Sequence, residues 1–169
     1  MKMRNMLLVA VVAGCVGCST GTGADAKAKD QADIKALEDR FTAAFKAKDV
    51  NAIMALYAPD ANMVVFDAVP PLQYTGWEAY KKDFQAFFAA FPGEADFTMT
   101  DLQIETGGDI AYGHSIQHTT MTDKSGKKVV MTVRVTDGYK KVNGQWLISH
   151  EHVSVPVDLD TMKPVLDSK

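Results

Sequence analysis

The segment Arg134–Ser154 constrains the fold more than any other part of the chain. It reads as a strand, a tight turn at Asn143-Gly144 and a second strand. An Asn-Gly pair between apolar runs suits a two-residue hairpin turn, whose central residues need positive φ. In a regular second strand, Trp146, Ile148, His150, His152 and Ser154 share one face, and Leu147, Ser149, Glu151 and Val153 share the other. Two histidines, a tryptophan and a serine on one face predict the half-polar wall of a cavity.

The same period extends upstream. Ala95–Glu105 alternates, and Gly107-Gly108 turns the chain. Ile110–Thr122 alternates again, with Tyr112, His114, Ile116, His118 and Thr120 on one face. After Lys124-Ser125-Gly126, a third long strand runs from Val129 to Lys141. Its faces put Asp137 among Val129, Met131, Val133, Val135 and Tyr139. The first half of the chain carries helical spacing instead. Ile34, Leu37, Phe41, Ala44 and Phe45 form one stripe between about Gln31 and Lys48, with Lys, Asp and Glu assigned to the opposite face. Asp49 suits the N-cap of a short helix, Val50–Tyr57, stopped by Pro59. A short strand at Asn62–Asp67 ends at Pro70-Pro71. Thr75-Gly76-Trp77-Glu78 reads as a capping box for a third helix reaching about Phe91. Helices followed by an antiparallel meander predict an α+β fold. Its curved, mostly antiparallel sheet wraps around a long N-terminal helix, with two further helices, and leaves a pocket between the layers.

A chain of 169 residues with 47% apolar residues is one domain with a real core. The net charge of −3 and the scattered lysine pairs leave no basic patch for nucleic acid. Residues 1–14 read as a signal segment: Lys2 and Arg4, a short apolar run, then small residues. Val12-Ala13-Gly14-Cys15 resembles the box of a bacterial lipoprotein signal, which implies cleavage before Cys15 and acylation of it. Cys18, after Gly17, is the alternative site. The expected location is the periplasm or cell envelope, with the outer membrane favoured because Val16 rather than Asp follows Cys15, and with membrane contact through the lipid anchor alone. Residues 15–30 read as a flexible tether, 31–156 as the folded domain and 157–169 as an extended tail. Both cysteines lie in the leader region, so the folded part has neither disulfide nor thiolate metal site.

Phe41–Ala61, with its helix, Asp, helix and Tyr-Ala-Pro-Asp-Ala exit, resembles the nuclear transport factor 2-like superfamily. Thr136-Asp-Gly-Tyr139 and Asn143–Ser154 look like its SnoaL-like and ketosteroid-isomerase-like branch. They are also similar to the association domain of calcium/calmodulin-dependent kinase II, where a Trp precedes two His at the spacing of His150 and His152. The resemblance implies a cone with a cavity at its open end and a homodimer formed through the sheet. The isomerase's general base falls on Val65, with Asp67 two residues on; its oxyanion Tyr falls on Phe41, and its oxyanion Asp on Asp137. One of those three positions therefore carries the isomerase's residue type.

The expected ligand is a small apolar or amphipathic molecule. Asp67, His118, Asp137 and His150 are the candidate catalytic residues: Asp67 or His118 to transfer the proton, Asp137 and His150 to stabilise the developing charge. Tyr57, Trp77, Tyr112, His114 and His152 are the candidate ligand contacts. Asp137 has an alternative role in satisfying the neighbouring turn or pairing with Arg134. Asp67 has one as a turn residue before prolines, and each His as a structural hydrogen-bonding group. His114 and His118 lie roughly 13 Å apart on a regular strand, too far to share one small atom. No helical His pair, Gly-x-Gly-x-x-Gly, P-loop or Gly-x-Ser-x-Gly motif is present, so neither metal nor cofactor is expected. Two functions stay open: an isomerase, dehydratase or cyclase, and a non-catalytic binding or assembly module.

Overall fold

A computed structural model describes residues 21–168. The expected signal segment, Cys15 and Cys18 lie outside the described residues. The described chain is α+β: helices α1 (Gly21–Lys46), α2 (Val50–Met54) and α3 (Trp77–Ala90) against a six-stranded sheet. The sheet is built from β1 (Val64–Phe66), β2 (Tyr74–Thr75), β3 (Ala95–Gly107), β4 (Ile110–Thr122), β5 (Lys128–Val142) and β6 (Gln145–Ser154). Spatial order is β2-β1-β6-β5-β4-β3, all antiparallel except β1 beside β6. Two short strands, β7 (Val157–Asp158) and β8 (Lys163–Pro164), pair in the tail.

The hairpin turn is as predicted. Val142 pairs with Gln145, and Asn143 and Gly144 both take positive φ, 51° and 81°. Helix α1 begins at Gly21 rather than near Gln31, so most of the expected tether is helical. Ala24, Ala26 and Ala28 favour that state. Lys27 bonds Glu105 at 2.8 Å, and Asp30 accepts from Lys141 at 2.7 Å and from the Trp146 indole at 3.2 Å, which docks this part of α1 on the sheet. Asp49 caps α2 by accepting from Ala52 N at 3.0 Å, but the helix closes at Met54. The capping box at Thr75 is not formed. Thr75 belongs to β2, and the N-cap of α3 is Gly76, at φ 91° and with no side-chain bond. A Cβ there would stand 3.0 Å from Ala61 O.

The core lies between α1, α3 and the concave face of the sheet. Ile34, Leu37, Phe41 and Phe45 of α1 are buried as their spacing requires, and Phe45 packs on Phe88 and Phe97 with centroids 5.1 and 4.6 Å away. On β4 the buried set is Ala111, Gly113, Ser115, Gln117, Thr119 and Met121. Tyr112, His114, Ile116 and His118 are therefore on the convex face, not the cavity wall. On β5 the inward face is as predicted and includes Asp137.

Strand β6 departs from a regular strand in one place. Gly138 pairs with His150 and Tyr139 with Ile148, leaving Ser149 as an extra residue, a β-bulge, with its hydroxyl on Gly138 O at 3.0 Å. The bulge shifts the side-chain parity. Trp146 and Ile148 face inward before it, and Glu151 after it; His150 and His152 face outward. Leu37 is fully buried, so Leu37→Ala is expected to cost about 2–5 kcal/mol in denaturant unfolding. Leu72→Ala, at a side chain 92% exposed, is expected to stay within about 0.5 kcal/mol of the parent.

Candidate functional site

Strand register aligns a row of positions across the sheet: Val65 on β1, Glu151 on β6, Asp137 on β5 and Gly113 on β4. All four are buried. The bulge at Ser149 puts Glu151 in this row. Two phenols hold its carboxylate: Tyr57 donates to one oxygen at 2.6 Å and Tyr80, from α3, to the other at 2.5 Å. Asp137 shares a further hydrogen bond with Glu151. A third buried carboxyl, Glu38 of α1, accepts from Tyr139 at 2.7 Å. Gly113 makes room for that contact, since a Cβ would meet the Tyr139 hydroxyl at 3.0 Å.

Among the described residues, no ion pair reaches Glu38, Asp137 or Glu151. Buried carboxylates without a cation favour the protonated state. Burial pushes Glu151 up to about 7, against the opposing pull of the Tyr57 and Tyr80 hydrogen bonds. It pushes Glu38 up to about 7 as well, against the Tyr139 bond. Asp137 is raised well above the usual carboxylate range, by burial first and then by the charges of Glu38 and Glu151. Its Oδ1 is the one buried side-chain oxygen among the described residues without a partner. Tyr57 and Tyr80 are pushed far up and act only as donors.

Glu151 and Tyr80 open onto a cavity of about 310 Å³ between α1, α3 and the sheet. Phe41, Phe45, Phe84, Phe87 and Phe97 line it with Met131 and Val133 of β5 and with Gln117 and Thr119 of β4. Asp67 stands at its opening, half-buried, with Oδ1 accepting from Val69 N at 3.2 Å. Burial raises the Asp67 carboxyl above its ordinary value, against the opposing pull of the Val69 amide. A shallower groove of about 870 Å³, between α1, α2 and the β5–β6 turn, is walled largely by alanines and contains none of these acids.

Residues 34–158 match the family model described as the SnoaL-like domain. The chain belongs to the SnoaL-like domain family. It is 31% identical to a nuclear transport factor 2-like protein of unknown function from Pseudomonas putida KT2440, over 84% of this chain and 97% of that one, with a TM-score of 0.75. It is 27% identical to a candidate calcium/calmodulin-dependent protein kinase II association domain from Xanthomonas campestris, over 72% and 84% of the two chains, with a TM-score of 0.62. A ketosteroid isomerase-like protein from Erwinia carotovora atroseptica shares the fold at 20% identity, over 75% and 95% of the two chains, with a TM-score of 0.64. No curated protein matches it.

In this SnoaL-like domain the candidates named from sequence divide into three groups. Asp67 lines the cavity, and Asp137 and Tyr57 lie behind it against Glu151. Arg134 is exposed on the other side of β5, so it is no partner for Asp137. His114, His118, His150 and His152 lie on the convex face with Tyr112, away from the cavity. His118 meets Thr132 Oγ1 at 3.1 Å, and His150 meets Val64 O at 2.7 Å. Trp77 also lies elsewhere, its indole bonded to Met54 O at 2.8 Å. Sequence reasoning missed Glu151, Glu38 and Tyr80 as site residues. Glu38 sits four residues after Ile34 and three before Phe41, on the buried stripe itself, and that position was a readable signal. For Glu151 the signal was the parity change between Ile148 and Val153, both apolar and five residues apart.

The raised carboxyls give stability a definite pH dependence. Glu38 and Glu151 bind protons in the folded state up to about 7 but release them near 4.5 when unfolded. Their contribution is complete below the unfolded value and is lost as pH rises through the folded one. Thermal melts are expected to show Tm falling between about pH 4.5 and pH 7. Glu38→Gln is expected to flatten that fall while retaining an acceptor for Tyr139.

Proposed function

We propose that this domain binds a small apolar or amphipathic molecule in the aromatic cavity and moves a proton on it, as an isomerase or dehydratase does. The observation that carries this reading is Glu151 at the cavity floor. It is oriented by two phenols, backed by Asp137, and poised near 7, where a carboxyl can both accept and return a proton. Its carboxylate would take a proton from a carbon beside a carbonyl or imine. The charge developing on the ligand heteroatom would face the Gln117 amide or the Thr119 hydroxyl. Return of the proton to a different carbon completes an isomerisation, and loss of a β-hydroxyl as water completes a dehydration. Asp67, at the opening, would exchange the second proton. Asp137 and Tyr57 position Glu151 and touch no ligand.

The test is deuterium uptake from heavy water into a library of small carbonyl compounds, neutral and amine-bearing, followed by NMR. Exchange is expected with the parent protein, and Glu151→Gln is expected to lower its rate by about 10²–10⁴-fold with the melting transition retained. Tight binding without exchange of any library member would leave the domain a ligand carrier.

The location belongs to the same proposal: a lipid-anchored, extracytoplasmic domain acylated at Cys15. Metabolic labelling with a palmitate analogue is expected to mark the parent chain and not Cys15→Ala. Persistence of the label in that variant and its loss in Cys18→Ala would move the anchor. The convex face favours a homodimer, because Ile110, Tyr112 and Val130 are each more than half exposed there.

A further inference from the structure

The cavity contains a charge imbalance that its own side chains do not correct. Three carboxyls line it: Glu151 at the floor, and Asp67 and Asp83, both half-buried, nearer the opening. They come from three separate elements: β6, the loop after β1, and α3. Asp83 follows Tyr80 by three residues and precedes Phe87 by four on one side of α3, so it is set into the aromatic face. Among the described residues that line the cavity there is no Lys, Arg or His. The nearest partners of these acids are donors without charge: Tyr74 to Asp83 at 2.6 Å, the Val69 amide to Asp67, and Tyr57 and Tyr80 to Glu151.

Each class of ligand meets that field differently. A carboxylate or phosphate would add a negative charge to a low-dielectric space that already holds three acids and no cation. A neutral molecule would displace water from half-buried carboxyls and return at most a hydrogen bond without a compensating positive charge. A protonated amine on an apolar body meets both walls favourably. Its ammonium is attracted to Asp67 and Asp83, and its body packs on the phenylalanine rings, whose faces also attract cations.

We infer that the ligand of this cavity is a small hydrophobic amine, bound as the ammonium between Asp67 and Asp83 with its apolar body directed inward over Phe41, Phe45 and Phe84. This rests on the ligand-binding role proposed above and adds the chemical class. A volume of about 310 Å³ suits a body of one ring or a short branched chain.

The test uses three matched probes on the full chain by titration calorimetry above neutral pH: phenethylamine, phenethyl alcohol and phenylacetate. The amine is expected to bind about tenfold tighter than the alcohol, and phenylacetate to bind more weakly than either. Asp67→Asn and Asp83→Asn, each checked by thermal melting, are expected to remove most of the amine's advantage over the alcohol, by lowering the amine's affinity far more than they change the alcohol's. Two separate substitutions keep the test usable if one fails to fold. Equal or tighter binding of the alcohol, or any preference for phenylacetate, overturns the ammonium class and leaves the cavity as a ligand site. Binding of none of the probes, with deuterium exchange intact in neutral library members only, overturns the class in the same way. Failure of both experiments removes the cavity as a ligand site altogether.

Discussion

Three carboxyl groups, Glu38, Asp137 and Glu151, are packed into a mostly apolar interior with no cation paired to them among the described residues. Each charge brought out of water costs several kcal/mol, so the interior tolerates the cluster only with most of its protons in place and its oxygens hydrogen-bonded. Tyr57, Tyr80 and Tyr139 meet the second condition for Glu151 and Glu38, each donating from a different element, while Asp137 keeps one oxygen unpartnered. The consequence is mechanical as well as electrostatic. Tyr57 ties the segment after α2 to β6, Tyr80 ties α3 to β6, and Tyr139 ties β5 to α1. The polar cluster thus joins all the layers of the cone.

The same cluster sets the chemistry of the cavity. A carboxyl surrounded only by neutral donors and other acids loses its proton near neutral pH instead of near pH 4.5, and Glu151 is the member that reaches the open space. Asp137 and Glu38 act on it from behind through their own charge state. A domain more stable at acid pH and a carboxyl that ionises near 7 therefore have one cause, and a substitution that relaxes the first is expected to shift the second.

The placement of Glu151 follows from the bulge at Ser149. Without the extra residue, Glu151 would lie on the convex face and His150 in the row beside Asp137. With it, β1 brings Val65 alongside Glu151 in parallel register. The position that resembles the ketosteroid isomerase base is apolar here, and a carboxyl occupies the adjoining place on the next strand.

The chain's own pattern determines much of this protein. The period-two runs and the Asn143-Gly144 turn specify the meander, because only one face of each strand can be buried. The stripe from Ile34 to Phe45 specifies the helix that the sheet wraps. Asp137 could be assigned to the interior because β5 is regular. Tertiary structure decided the rest. Side-chain parity along β6 depends on a pairing with β5 that skips Ser149, and the outward direction of all four histidines depends on which face of β4 and β6 the helices cover. Neither is a property of a strand read by itself. The raised proton affinity of Glu151 is more distant still from the sequence: it comes first from burial, a condition set only when segments more than a hundred residues apart, such as Glu38 and Glu151, are packed together.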